Sequence, residues 1–203
     1  MKNLSKLVVA TSNKGKISEF ENLLADLNIN LKGLSDFEGI VEVAETGTTF
    51  DENARLKAAG YAGQIGLPAL ADDSGLEVAA LGNAPGVFSA RFGGAGLSDQ
   101  ERARKLLAEL EKVKPDNRQA KFVCVIALAD ESGRILCSAT GVCRGRIAAK
   151  PLGANGFGYD PIFIPDGFEN SFGELSAEIK DKISHRARAA REIIRYLQDF
   201  SQK

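Results

Sequence analysis

The sharpest chemical signal in this 203-residue chain is Asp72-Asp73-Ser74-Gly75, two adjacent carboxylates delivered by the apolar run Leu67-Pro68-Ala69-Leu70-Ala71. Two neighbouring acids at the end of a buried strand need a cation or hydrogen-bond donors to offset their lost hydration. Glu45, in the polar segment Glu45-Thr46-Gly47-Thr48-Thr49, offers another carboxylate. The chain has one histidine, His185, and three cysteines, Cys124, Cys137 and Cys143, with no CxxC pair. Zinc sites built on several His or paired Cys ligands are therefore not expected, and the hard-oxygen inventory favours Mg²⁺, with Mn²⁺ as a substitute. The competing reading of the acidic pair is a turn in which Asp and Ser cap a helix. Ser74 as a nucleophile would have to recruit the lone His185, and no G-x-S-x-G elbow surrounds it.

Other segments offer phosphate and base chemistry. Thr11-Ser12-Asn13-Lys14-Gly15-Lys16 leaves an apolar run and enters a helical pattern, so backbone N–H groups at a helix N-terminus and two lysines can cradle phosphate. It is not a Walker A loop, because that pattern would need Gly and Ser or Thr where the chain has Ala10 and Ile17. An ordinary connection with two solvated lysines competes. Gly156-Phe157-Gly158-Tyr159-Asp160-Pro161 sets two aromatic rings and a carboxylate among glycines; such rings either stack on a nucleobase or cover the core. Lys180, His185 and Arg186 either reach a phosphate or a base carbonyl or serve the fold.

The elements that must hold these residues follow from periodicity. Residues 7–10 read as a strand, and Ile17, Phe20, Leu23, Leu24 and Leu27 as the helix after it. A strand is expected within residues 27–34, then a helix carrying Phe50, Ala54, Ala58, Tyr61 and Ile65 and stopped by Gly66. Residues 67–71 read as a strand with the acidic pair at its end, and residues 82–96 as a long irregular loop. Ser98-Asp99-Gln100-Glu101 matches a capping box ahead of a helix with Ala103, Leu106, Leu107 and Leu110. Residues 120–129 and 134–147 read as a hairpin joined by Asp130-Glu131-Ser132-Gly133, and Ala187, Ala190, Ile194 and Leu197 as one face of a C-terminal helix. The expected fold is a mixed-sheet α/β domain spanning residues 1–203.

Composition bounds the partners. Content that is 44% hydrophobic and 26% charged is that of a soluble globular chain, and 26 basic against 27 acidic residues leave a formal charge of −1. No whole-molecule field attracts nucleic acid or anionic lipid, so an anionic ligand must be caught locally. The longest apolar run, residues 122–129, is too short for a membrane helix, and the N-terminus lacks the pattern of a secretory signal. A cytoplasmic chain with buried free thiols is expected, without nucleic-acid or membrane partners.

Taken together, the motifs resemble the inosine triphosphate pyrophosphatase family, which includes bacterial dITP/XTP pyrophosphatases. The carriers are Thr11-Ser12-Asn13-Lys14-Gly15-Lys16; Glu45-Thr46-Gly47 with Phe50 and Asn53-Ala54; Ala71-Asp72-Asp73-Ser74-Gly75-Leu76; Ala84-Pro85-Gly86 with Ser89-Ala90-Arg91; Phe157-Gly158-Tyr159-Asp160-Pro161; and Lys180 with Ser184-His185-Arg186. The resemblance implies an elongated mixed sheet with flanking helices forming two lobes around a central cleft, and a homodimer. It implies Mg²⁺-dependent hydrolysis of ITP, dITP and XTP to the monophosphate and pyrophosphate. By motif, Thr11, Ser12, Asn13, Lys14, Gly15 and Lys16 would hold the triphosphate, and Glu45 and Asp73 the metal. Asp73 would serve as proton acceptor for the attacking water and Lys16 would stabilise charge. Ser74, Phe157, Gly158, Tyr159, Asp160, Lys180, His185 and Arg186 would line the nucleotide. One departure is Ala44, where many relatives carry a second acid, which leaves Asp72 as a candidate to share the metal. For selectivity, Arg186 or a backbone N–H is expected to read the 6-oxo group, which penalises adenine. A nucleotide sensor and a γ-phosphate NTPase are the alternatives; intact Lys16, Glu45, Asp72 and Asp73 speak against the first, and the failed Walker A pattern against the second.

Overall fold

The run at residues 122–129 contributes no exposed side chain: from Val125 to Ala129 every residue is at most 4% exposed. It forms the centre of β4 (Gln119–Ala129) in a computed structural model that describes residues 4–201. The other strands are β1 (Lys6–Val9), β2 (Asn30–Gly33), β3 (Ala69–Val78), β5 (Ile135–Ile147) and β6 (Phe163–Pro165), in the sheet order β2-β1-β3-β4-β5-β6. β1 pairs in parallel with β2 and β3, whereas β5 and β6 pair antiparallel, so the sheet is mixed, as expected. The parallel pairs need crossovers, which α1 (Lys14–Leu23) and α2 (Phe50–Ile65) supply. α3 (Asp99–Glu109), α4 (Ala177–Ile183) and α5 (His185–Ser201) complete the helices. Among the described residues, no helix is long and apolar enough to cross a membrane.

The chain divides into two units, and β3, β4 and β5 contribute residues to both. Unit 1 comprises Met1–Asp73, Cys124–Gly141 and Arg186–Lys203; unit 2 comprises Ser74–Val123 and Val142–His185. The core of unit 1 joins Leu7, Val9, Leu70, Ile126 and Leu128 of the strands to Phe20 and Leu24 near α1 and to Ala189, Ala190, Ile193 and Leu197 of α5. The core of unit 2 joins Leu76, Val78, Phe122, Ile147 and Phe163 to Leu106, Leu110 and Phe172.

Several boundaries differ from the sequence reading. β3 does not stop before the acidic pair; it runs through Asp72 and Asp73 to Val78, because basic and amide groups from distant elements meet those charges and the ladder continues. The helical-turn reading of this motif is thereby excluded. α1 ends before Leu27, and the first turn of α1 already includes Lys14 and Lys16. The loop at residues 82–96 contains a 3₁₀ segment, Gly86–Arg91, where the Ser89 hydroxyl accepts from Leu76 N at 2.9 Å and donates to Gly86 O at 2.7 Å. β6 and α4 are too short to show a period. Cys124 and Cys143 are buried, but Cys137 is only half-buried because it lies in the first five residues of β5, all of which are only partly covered.

The hairpin turn and the helix caps form as read. Asp130 Oδ1 accepts from Ser132 N and Arg134 N, both at 3.0 Å. Gly133 there has φ +85°, and a Cβ would lie 2.9 Å from Ala59 O. Only glycine fits that approach. Gly66 ends α2 in the left-handed conformation, and Ser98 with Glu101 forms the capping box of α3.

Candidate active site

Successive strand residues face opposite sides of a sheet, so the two acids of β3 meet different helices. Asp72 has the parity of Leu70, which packs with α1 and α5, and its Oδ2 lies 3.0 Å from Lys16 Nζ and 2.9 Å from Arg186 Nη2. The other terminal nitrogen of Arg186 bonds Glu19, one turn after Lys16 on α1. Burial works against the Asp72 charge, but Lys16, Arg186 and Lys57 outweigh it and hold the carboxyl well below the usual range. Arg186 is 1% exposed; burial opposes its charge too, and Asp72 and Glu19 keep it fully protonated.

Asp73 faces α2. Its Oδ2 accepts from Asn53 Nδ2 at 3.0 Å, and Asn53 is fully buried. Burial raises the Asp73 pKa most and Glu45 adds to that, while Lys57, Asn53 and Lys16 pull it down; the balance is a raised value. Lys57 on α2 donates to Glu45 Oε1 at 2.7 Å. Burial disfavours its charge, but Asp72, Asp73 and Glu45 prevail and raise its pKa.

Glu45 is placed by a clasp between the extended segment 41–47 and one face of α2. Gln64 exchanges two hydrogen bonds with the Val41 backbone at 2.9 and 3.0 Å, and the Tyr61 hydroxyl accepts from Val43 N at 3.3 Å. Lys57 then bonds Glu45, and Asn53 Oδ1 accepts from Gly47 N at 2.8 Å. The partners step by two along the segment and by three or four along α2, the repeats of an extended chain and of a helix face. Gly60 permits the approach, since a Cβ there would lie 2.7 Å from Val43 Cγ2.

At the start of α1, Asn13 is the N-cap: its Oδ1 accepts from Lys16 N at 3.1 Å, and its own N–H donates to Thr11 Oγ1 at 3.2 Å. Thr11, Ser12, Asn13, Lys14, Gly15 and Lys16 are all at least partly exposed, and α1 has no acid in its first turn, so its N-terminal dipole is open to an anion beside the exposed Lys14, while Lys16 is paired with Asp72. Unit 1 therefore gathers Lys16, Glu45, Asp73 and Arg186 of the sequence-derived set. It adds three that sequence reasoning passed over: Glu19, Asn53, which carried the resemblance without a role, and Lys57. A lysine among Ala54, Ala58 and Tyr61 on the buried face of α2 was the available signal.

This donor set fits a divalent cation. Lys16, Lys57 and Arg186 face four carboxylates, Glu19, Glu45, Asp72 and Asp73, so the cluster carries no positive excess with which to bind a polyphosphate. Among the described residues no group of three or more His, Cys, Asp or Glu could by itself hold a metal ion; a Mg²⁺ here would take one or two carboxylates and complete its shell with water and substrate phosphate.

Unit 2 holds the remaining residues. Asp160 Oδ2 accepts from Phe157 N at 2.9 Å and from Lys180 Nζ, whose ammonium lies 4.6 Å from the Phe157 ring centroid. Gly156, at φ +73°, admits that carboxylate, which would lie 2.1 Å from a Cβ. Gly158 N donates to Asp99 Oδ2 at 2.7 Å, and the Tyr159 hydroxyl to Ser89 O at 2.9 Å. His185 stacks on Phe122 with centroids 4.6 Å apart and planes at 9°. Ser74 lies in β3, one residue beyond Asp73 and across the unit boundary. Unit 2 thus assembles Phe157, Gly158, Tyr159, Asp160 and Lys180 into one fixed loop-and-helix group.

The Ham1 family model matches residues 7–196. The chain belongs to the Ham1 family. A Ham1 protein from Coxiella burnetii has the same fold, with a TM-score of 0.86 at 44% identity over 96% of this chain and 98% of that one. The dITP/XTP pyrophosphatase of Listeria monocytogenes serotype 4b is 46% identical over 200 residues, 98% of each chain. That of Shouchella clausii is 48% identical over 186 residues, 92% of this chain and 93% of its own. The Ham1 match runs from β1 into α5 and so contains every site residue described above.

Proposed function

We propose that this chain hydrolyses dITP, XTP and ITP to the nucleoside monophosphate and pyrophosphate, as a Mg²⁺-dependent cytoplasmic homodimer that removes deaminated purine nucleotides. The single observation that carries the chemistry is the unit 1 cluster, in which Lys16, Asp73 and Glu45, far apart in sequence, share one electrostatic neighbourhood. Relatives that match almost end to end and are named dITP/XTP pyrophosphatases support the substrate class.

In this reading the α1 N-terminus, Lys14 and Lys16 bind the phosphates, and Asp72 and Arg186 hold Lys16 in place. Glu45 and Asp73 would hold Mg²⁺, which when bound supplies charge neutralisation of the triphosphate and of the leaving pyrophosphate. Asp73, oriented by Asn53, accepts the proton of the attacking water. The water oxygen bonds to the α-phosphorus, the bond from that phosphorus to the bridging oxygen breaks, and pyrophosphate leaves with the electron pair. Phe157 stacks on the base, and a backbone N–H reads its 6-oxo group, because both terminal nitrogens of the buried Arg186 are taken by Glu19 and Asp72. Guanine shares that group, so its 2-amino substituent is left unpaired or crowded by the aromatic loop.

The test is hydrolysis of ITP, dITP, XTP, GTP and ATP in H₂¹⁸O with Mg²⁺. The expected products are pyrophosphate and ¹⁸O-labelled monophosphate, fastest for the 6-oxo deaminated purines. Orthophosphate as the first product, or label in pyrophosphate, overturns the reading. Asp73→Asn is expected to lose about 10³-fold in kcat while keeping the fold.

A further inference from the structure

Asn53 occupies the end of the α2 clasp and is also hydrogen-bonded to β3. Its two amide atoms meet groups of opposite demand: Oδ1 accepts from Gly47 N at 2.8 Å, and Nδ2 donates to Asp73 Oδ2 at 3.0 Å. The Gly47 N–H can only donate and an ionised carboxylate can only accept, so the amide has one satisfactory orientation. Its side chain is fully buried, where a mispaired amide or carboxylate is costly. Gly47 is shaped for this contact: a Cβ there would lie 2.7 Å from Asn53 Oδ1 and 2.6 Å from Glu52 Cβ.

We infer that Asn53 is a positioning residue for the hydrolysis, tying the Glu45 segment to Asp73 so that the two carboxylates are presented to substrate and cation in one fixed geometry. Asn53 touches neither reacting atom; it sets the plane of the Asp73 carboxylate and, through Gly47, the backbone two residues after Glu45. No other standard side chain of this length offers an acceptor to an N–H and a donor to a carboxylate at once. Asp keeps the first contact and turns the second into repulsion, and Ala loses both.

The inference rests on the proposed hydrolysis, and the experiment separates the two. Wild type, Asn53→Asp, Asn53→Ala and Asp73→Asn are compared for pyrophosphate release from ITP, with Mn²⁺ affinity of the nucleotide-free protein measured for wild type and Asn53→Ala. Turnover is normalised to the folded fraction found by circular dichroism. The expected result is a kcat about ten- to a hundredfold lower in both Asn53 variants with KM for ITP changed less than about threefold, and a Mn²⁺ dissociation constant about tenfold weaker in Asn53→Ala. If Asn53→Ala does not fold, the isosteric Asn53→Asp decides by its kcat and KM. A normalised kcat within twofold of wild type in the folded Asn53 variants, or unchanged Mn²⁺ affinity in folded Asn53→Ala, overturns the inference. Failure of the hydrolysis reading looks different: wild type then releases no pyrophosphate, or Asp73→Asn retains full turnover.

Discussion

Replacing Arg186 with Ala separates stability from chemistry in the unit 1 cluster. Arg186 is 1% exposed, and the Asp72 side chain is fully buried at 2.9 Å from it. Removing one partner of a buried pair leaves an uncompensated charge and costs about 3–5 kcal/mol. Lys16 remains 3.0 Å from Asp72, which places the expected loss at the lower end, about 3 kcal/mol. For a chain of this size that is a fall of about 6–12 °C in Tm. Lys16→Ala runs the opposite way. Its side chain is 16% exposed and Asp72 keeps Arg186, so the stability loss should be about 1 kcal/mol while turnover collapses. Asp72→Asn added to Arg186→Ala removes the stranded charge and should recover part of the loss. Urea unfolding at 15 °C gives the free energies, and pyrophosphate release gives the kcat. The reasoning fails if Arg186→Ala unfolds within about 0.5 kcal/mol of wild type, or if Lys16→Ala proves the less stable of the two.

Two further predictions concern the hairpin between β4 and β5. Gly133→Ala forces a non-glycine residue to φ +85° and a Cβ to 2.9 Å from Ala59 O. A loss of about 2 kcal/mol with unchanged kcat is expected by thermal unfolding and ITP hydrolysis, and an unaltered Tm contradicts it. Asp130 has its pKa lowered to about 2, chiefly by the Ser132 hydroxyl; burial opposes this, and the hydrogen bonds from Arg134 and the Ser132 N–H add to the lowering. Because the folded pKa lies below the unfolded one, its contribution is present above pH about 4 and is lost as pH falls towards 2. Asp130→Asn should therefore lower stability at pH 6 and flatten the decline of the urea midpoint between pH 4 and 2; parallel profiles would count against it.

Much of the site was legible locally. The turn proposed to bind phosphate follows from a strand running into an Asn-capped helix with two lysines, and Gly66, Ser98 and Asp130 mark their boundaries by backbone chemistry that acts over four residues. The motif set also carried the family. The end of β3 was not legible, because an acidic pair looks like the end of an apolar strand until Lys16, Asn53 and Arg186 arrive from α1, α2 and α5 to compensate it. β6 and α4, with three and seven residues, are shorter than any window in which a period can be counted.

The sequence by itself determined which groups were available: the α/β alternation, an inventory of oxygen and amine ligands without a histidine cluster, and the residues of the proposed phosphate cradle. Tertiary structure alone decided which partners they meet. Adjacent in sequence, Asp72 and Asp73 point to opposite faces of one strand, so the first is locked to Lys16 and Arg186 and the second is held by Asn53 beside Glu45 and Lys57. A period of two splits neighbours that composition treats as a pair, and only packing shows which charge each of them meets.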